Sequence, residues 1–120
     1  MKEMNILVID NYPEFALSLK DVLELEGYQA VAVSSCQAGL KLAASKQFDL
    51  IFLDMVMPGE SGICALLSLK EAGSGTPVAV ISAFDDELVK KRVAELGAVA
   101  FLEKPLNIPK LRQLLAAYQI

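Results

Sequence analysis

Five polar side chains stand at the ends of four short apolar runs, and their types define the chemistry that the chain could perform. They are Asp10 and Asn11 after residues 6–9, Asp54 after residues 50–53, Ser82 after residues 78–81, and Lys104 shortly after residues 100–102. If the runs are parallel strands of one sheet, their carboxyl ends share an edge, which is where open α/β sheets bind ligands. The sequence therefore predicts one site built from carboxylate, amide, hydroxyl and ammonium groups.

The composition excludes several other chemistries. The 120 residues include no histidine, which removes a Ser-His-Asp triad, a Cys-His pair and histidine-bound zinc. Cys36 and Cys64 are too few and too far apart for a disulfide framework or a metal knuckle, and we predict buried thiols. The net charge of −4 argues against direct binding of nucleic acid.

Length and hydropathy point to one domain, residues 1–120, with strands buried on both faces. Hydrophobic residues make up 54% of the chain, but the apolar runs are far shorter than the roughly 20 residues that span a bilayer. An extended apolar signal segment is absent from the beginning of the sequence, so we expect a cytoplasmic protein without a membrane role. The sequence ends at Ile120 without an output domain, so we expect a stand-alone protein or one excised from a longer chain.

Strand and helix patterns alternate along the chain. Strands are predicted at residues 5–10, 29–33, 50–54, 78–82 and 100–103, and helices at residues 13–26, 36–46, 62–72, from 85 or 86 to 96, and 108–118. Ser34-Ser35 and Ser61 are predicted N-caps, and Leu25 and Leu88 are counted among the apolar helix positions. This alternation predicts an α/β fold with a parallel sheet and helices on both faces.

Four motifs, taken together, resemble a known family. Residues 6–10, 49–62, 80–83 and 101–105 resemble the motifs of the two-component response-regulator receiver domain, in order and over essentially the whole chain. The resemblance implies a CheY-like, flavodoxin-like (βα)5 fold, in which a doubly wound, five-stranded parallel sheet has strand order 2-1-3-4-5. It also implies a signalling domain that accepts a phosphoryl group, rather than an ordinary enzyme.

The resemblance assigns a role to each polar residue at the strand ends. Asp54 would accept a phosphoryl group from a histidine kinase or phosphotransfer protein. Asp10, Asp54 and the backbone carbonyl of Val56 would bind Mg²⁺, a cation that prefers oxygen ligands. Lys104 and Ser82 would contact phosphoryl oxygens, and a cis Lys104–Pro105 bond would aim the lysine inward.

Position 11 departs from the pattern of the family. Receiver domains usually carry a second acidic residue there, a direct metal ligand, whereas this chain has Asn11. An amide oxygen can still bind Mg²⁺, but the formal charge of the site falls from −3 to −2, so we expect weaker binding. Asn11 therefore leaves open a phosphorylation-independent pseudo-receiver that acts as an interaction module.

The resemblance also predicts how a signal leaves the site. Ser82 and Phe101 would form a switch in which the aromatic ring moves inward when the hydroxyl is drawn to phosphate. The fourth helix, fifth strand and fifth helix would contact an output domain or a downstream protein. A homodimer stays open, although residues 97–101 lack the acids found in winged-helix regulator dimers.

A third function class is a small α/β phosphatase with an aspartyl nucleophile. Such enzymes usually carry a second acid two residues after the nucleophile, where this chain has Val56. Val56 and Phe84 would also flank the path of an attacking water without a hydrogen-bonding group. The phosphatase class is therefore disfavoured, and a phosphorylated Asp54 is expected to hydrolyse slowly.

Overall fold

A five-stranded parallel sheet forms the centre of the molecule. The computed structural model describes residues 4–57, 60–61, 66, 68–71, 75–83 and 87–118. The strands of the sheet are β1 (Asn5–Ile9), β2 (Gln29–Val33), β3 (Leu50–Asp54), β6 (Val78–Ser82) and β7 (Ala100–Glu103). Their spatial order is β2-β1-β3-β6-β7, which is order 2-1-3-4-5 when only these strands are counted. The predicted topology is confirmed.

A short antiparallel ladder, which sequence patterns did not predict, follows β3. It pairs β4 (Val56–Met57) with β5 (Glu60–Ser61). Strands of two residues are too short to produce a recognisable alternation of apolar and polar side chains.

The helices flank the sheet and agree closely with the predicted segments. They are α1 (Pro13–Leu25), α2 (Cys36–Ser45), α3 (helical at residues 66 and 68–71), α4 (Glu87–Glu95) and α5 (Ile108–Tyr118). Ser35 caps α2, because its Oγ accepts a hydrogen bond of 3.1 Å from the Ala38 N–H. Ser61 ends β5, and the predicted starts of the third and fourth helices lie outside the described residues.

Two apolar cores fill the space between the sheet and its helices. Alternate strand residues point to opposite faces, so Ile6, Val8 and Phe52 pack with α1 and α5, whereas Leu7 and Leu53 pack on the other face. The second face is covered by residues of α2, α3 and α4. Burial on both faces explains why the strands are almost continuously apolar.

Two apolar side chains that were counted toward the helical patterns lie outside these cores. Leu25 is 86% exposed and Leu88 is 80% exposed. Leu19 and Leu23 are four residues apart and share the inner side of α1, whereas Leu25 lies about 200° around the helix from Leu23. Leu88 likewise precedes the inward stripe of α4, which contains the buried Val93.

Two smaller predictions also have structural outcomes. Cys36 is a buried thiol, as predicted, whereas Cys64 lies outside the described residues. The Lys104–Pro105 bond is cis, also as predicted. The described residues contain no helix with the length and apolar character needed to cross a membrane.

Candidate acceptor site at the carboxyl edge of the sheet

Neighbouring strands deliver the predicted site residues to one edge of the sheet. Asp10 directly follows β1, Asp54 ends β3, Ser82 ends β6 and Lys104 follows β7. These four strands are adjacent in the sheet, and the backbone N–H of Lys104 donates to the Ser82 carbonyl at 2.9 Å. Asp10, Asp54 and Ser82 are all buried, with at most 3% of their surface exposed.

The Asp10 carboxylate is held from two directions. Its Oδ1 accepts a 2.8 Å hydrogen bond from the backbone N–H of Tyr12, within the turn that leads into α1. Its own backbone N–H donates to the Val33 carbonyl at 3.1 Å and so extends the β1–β2 ladder. This arrangement leaves Oδ2 as the oxygen that can face a cation.

Lys104 brings a positive charge to both acidic side chains. Its Nζ lies 2.8 Å from Asp10 Oδ2 and 3.6 Å from Asp54 Oδ2, and the lysine side chain is only 13% exposed. Asp10 Oδ2 accepts no hydrogen bond from the described residues, so its contact with Lys104 is an ion pair without the alignment of a hydrogen bond. The ammonium therefore balances the acids by charge and leaves Oδ2 with unused acceptor capacity.

The oxygen atoms at this edge suit a divalent cation, although the site has two acidic side chains rather than three. The two buried carboxylates, one of which includes the unsatisfied Asp10 Oδ2, are hard ligands of the kind that Mg²⁺ prefers. Within the part of the chain that the structure describes, no three His, Cys, Asp or Glu side chains form a group that could hold a metal. Asn11, which follows Asp10 in the sequence, is half-buried and stands where the resemblance predicts an acidic residue. Val56 begins β4, and its carbonyl and the Asn11 amide remain predicted ligands.

Two aromatic rings near Lys104 were missed by the sequence reasoning. The Lys104 Nζ lies 4.3 Å from the centre of the Phe15 ring and 4.9 Å from that of Tyr12. Both residues also line a cleft of about 560 Å³, together with Pro13, Glu14, Ala83 and Lys104. Sequence spacing placed Phe15 only on the core face of α1, so a contact with a residue 89 positions later left no local signal.

The predicted switch residues lie on one face of the sheet. Val80 pairs with Phe101 and Ser82 with Glu103 in the parallel register of β6 and β7. Ser82 therefore follows Val80 on the face that packs against α4, where Phe101 is partly buried against the second apolar core. Asp54 instead follows Phe52 and faces the α1 and α5 side.

A second lysine lies over the Phe101 ring. The Lys90 Nζ on α4 is 5.4 Å from the ring centre, 3.1 Å from Glu103 Oε1 and 3.4 Å from Glu87 Oε1. These contacts link α4 to β7 beside the predicted switch.

Comparison with protein families and curated proteins gives consistent results. The family described as "Response regulator receiver domain" matches residues 6–116. The Escherichia coli (strain K12) transcriptional regulatory protein CpxR is 35% identical over 102 residues, which cover 85% of this chain and 43% of CpxR. The Bacillus subtilis (strain 168) transcriptional regulatory protein MalR is 30% identical over 118 residues, 97% of this chain and 50% of MalR. The chain spans about half the length of the curated relatives it matches.

Solved structures agree with the observed fold. The receiver domain of the Francisella response regulator 1452 superposes with a TM-score of 0.88 at 27% identity, covering 97% of this chain and 96% of that one. A Burkholderia pseudomallei response regulator, solved with a phosphorylated aspartic acid, a calcium ion and citrate, gives a TM-score of 0.85 at 28% identity. That match covers 98% of this chain and 67% of the other. The family match, the strand order and the shared fold together show that this chain belongs to the response-regulator receiver-domain family.

Proposed function

We propose that the chain is a phosphoacceptor domain that takes a phosphoryl group onto Asp54 from a histidine kinase or phosphotransfer protein. The observation that carries this proposal is the buried acidic pair with Lys104 Nζ only 3.6 Å from Asp54 Oδ2. An acidic side chain at the end of the central strand, next to a cation, is placed to act as a nucleophile toward an anionic group. The Burkholderia pseudomallei neighbour, which carries a phosphorylated aspartic acid, supports the same chemistry.

In the proposed reaction an Asp54 carboxylate oxygen attacks the phosphorus of a phosphohistidine. A phosphorus–oxygen bond forms, the phosphorus–nitrogen bond breaks, and the released imidazole takes up a proton from solvent. Lys104 turns from Asp10 toward a phosphoryl oxygen, and the Ser82 hydroxyl donates to another. A Mg²⁺ ion held by Asp10 and Asp54, with Asn11 and the Val56 carbonyl as further ligands, would neutralise charge on the transferred group.

The phosphoryl group would change the surface around α4, β7 and α5. Ser82 and Phe101 lie on the α4 face, so a movement of the hydroxyl toward phosphate leaves space that the partly buried ring can enter. The same surface would contact an output domain or a downstream protein. A single unchanged Phe101 side-chain conformation in NMR spectra with and without acetyl phosphate and Mg²⁺ would rule out this aromatic switch.

Phosphorylated Asp54 is proposed to hydrolyse slowly. Val56 and Phe84 offer no hydrogen-bonding group to an attacking water, although the Val56 side chain and Phe84 lie outside what the structure describes. Val56→Asn is therefore expected to shorten the half-life of the acyl phosphate. A wild-type half-life much shorter than that of Val56→Asn would contradict this proposal.

The biological setting is also a proposal. The curated relatives are named transcriptional regulatory proteins and are about twice as long as this chain. We therefore propose a cytoplasmic signalling role with a kinase upstream and a protein output downstream, without direct contact with nucleic acid or membrane. A homodimer is compatible with the same proposal, although residues 97–101 lack the acids found in winged-helix regulator dimers.

A second candidate is a phosphorylation-independent interaction module. The observation that favours it is Asn11, together with the absence of a three-acid group among the described residues. Asn11→Asp separates the two candidates, because it restores the usual acid. If acetyl phosphate and Mg²⁺ modify Asn11→Asp but not the wild-type chain, the interaction module is correct. Comparable modification of both proteins supports the phosphoacceptor.

A further inference from the structure

The Lys104 ammonium lies between two carboxylates and two aromatic rings. Asp10 Oδ2 and Asp54 Oδ2 are 2.8 and 3.6 Å away, and the ring centres of Phe15 and Tyr12 are 4.3 and 4.9 Å away. Three of these four neighbours belong to the short segment from Asp10 to Phe15. The end of β1 and the beginning of α1 thus surround the ammonium on one side.

This position overlaps with the one that a divalent cation needs. Asp10 Oδ1 is engaged by the Tyr12 N–H, so Oδ2 is the oxygen left for a cation, and Lys104 lies against it. The two carboxylates carry a formal charge of −2, half of which the lysine neutralises. In a site with three acids the same lysine would neutralise only a third, so competition by Lys104 weighs more heavily in this chain.

The two rings favour the ammonium at this place without changing the charge. An ammonium within about 6 Å of a ring centre is attracted by the negative face of the ring, with a free energy of roughly 0.5–1 kcal/mol at exposed sites. Both ring distances fall inside that range. The neighbouring cleft of about 560 Å³, which Lys104 also lines, gives the side chain room to leave Asp10.

We propose that Tyr12 and Phe15 are positioning residues that hold the Lys104 ammonium against Asp10 and thereby weaken the affinity of the site for divalent cations. The inference rests on the proposed function in one respect, that a divalent cation binds at Asp10 and Asp54. The free energy that is needed to move Lys104 away from the two rings then opposes cation binding.

Isothermal titration of the purified chain with Mg²⁺ tests this inference. Tyr12→Leu and Phe15→Leu remove a ring but no charge, and each is expected to lower the Mg²⁺ dissociation constant about two- to fivefold. Tyr118→Leu removes an aromatic ring from the last residue of α5, at the opposite end of that helix from the residues that follow Lys104, and should leave the dissociation constant unchanged. Tyr12 is 58% exposed, so its replacement does not open the core, and far-UV circular dichroism checks the fold of each variant.

A second measurement needs no bound metal and separates the two ways in which the inference can fail. In EDTA the two rings should shift the Lys104 Cε protons upfield in the wild-type NMR spectrum, and either substitution should reduce that shift. An unshifted wild-type signal overturns the positioning role even if Mg²⁺ binds. If the Lys104 protons are ring-shifted but Mg²⁺ binds to neither the wild-type chain nor the two variants, the proposed metal site is overturned, and with it the effect of the rings on cation affinity. Unchanged or weaker binding in both folded variants overturns the inference alone.

Discussion

Two lysines in this molecule, Lys104 and Lys90, each lie near two acidic side chains and at least one aromatic ring, but one group is buried and the other is exposed. Lys104 lies 2.8 Å from an Asp10 that is fully buried, and Asp54 beside it is 1% exposed. Lys90 lies 3.1 and 3.4 Å from Glu103 and Glu87, whose side chains are 50% and 85% exposed. We call these the acceptor site and the α4–β7 contact.

The two regions differ in the free energy that is needed to rearrange their contacts. Buried charges interact strongly and leave a large penalty if one partner is removed, whereas exposed ion pairs contribute about 0–1 kcal/mol. Backbone ladders of β1, β3 and β6 hold the two acids of the acceptor site, whereas long side chains make the α4–β7 contact. The two acids of the acceptor site are therefore held in fixed positions, whereas the α4–β7 contact is suited to a change between two states of similar free energy.

Truncation of one leucine in each region should give the largest difference in the free energy of unfolding. Leu53→Ala, directly before Asp54 in β3, is expected to lower the free energy of unfolding by about 2–5 kcal/mol, because it leaves a cavity among fully buried side chains. Leu88→Ala, on the exposed side of α4, should change that free energy by less than about 0.5 kcal/mol. Urea denaturation measures both values, and a similar loss in the two variants would remove the contrast.

Replacement of each lysine should sharpen the comparison further. In EDTA, Lys104→Met leaves two buried carboxylates without their cation, and we expect a loss of about 2 kcal/mol in the free energy of unfolding, between the values for buried and exposed pairs. Lys90→Met should cost less than about 1 kcal/mol. Excess Mg²⁺ should narrow the Lys104→Met deficit because it supplies positive charge at the same acids.

The outcome can also contradict this account of the two lysines. Equal losses for Lys104→Met and Lys90→Met in EDTA would mean that burial does not distinguish their ion pairs. An Lys104→Met deficit that persists in full at saturating Mg²⁺ would argue against a shared cation position at Asp10.

The smallest effect is expected at the α4–β7 contact. Lys90→Gln removes the attraction of the ammonium for Glu103 and the Phe101 ring, so the population of a second Phe101 conformation should rise about two- to fivefold. NMR of ring-labelled phenylalanine measures that population. Lys91→Gln is the matched control, because Lys91 is an exposed lysine on the same helix. An equal effect of both substitutions would show that overall charge, rather than the contact, is responsible.

The strands could be predicted because burial on both faces imposes continuous apolar runs, and the family resemblance implied their order. Four of the five predicted strands have the predicted bounds, and the first ends one residue early, at Ile9. The convergence of Asp10, Asp54 and Lys104 followed from that order, since parallel strands end at one edge. The family resemblance supplied their individual roles, which remain predictions.

Side-chain contacts between distant segments could not be predicted in the same way. The rings of Tyr12 and Phe15 meet Lys104 only because β1 and β7 end at the same edge of the sheet, and no periodic pattern records that meeting. The α4–β7 contact from Lys90 to Glu103 is equally invisible in the sequence, where both residues resemble ordinary surface charges. The exposure of Leu25 and Leu88 shows that apolar residue type alone does not identify the inner side of a helix.

The most direct test of the central claim is the intact mass of the chain after incubation with acetyl phosphate, with and without Mg²⁺, beside an Asp54→Asn variant. The account predicts a Mg²⁺-dependent increase equal to one phosphoryl group in the wild-type chain and no increase in Asp54→Asn. An increase of the same size in Asp54→Asn, or no increase in the wild-type chain with Mg²⁺ present, would contradict the assignment of Asp54 as the phosphoacceptor.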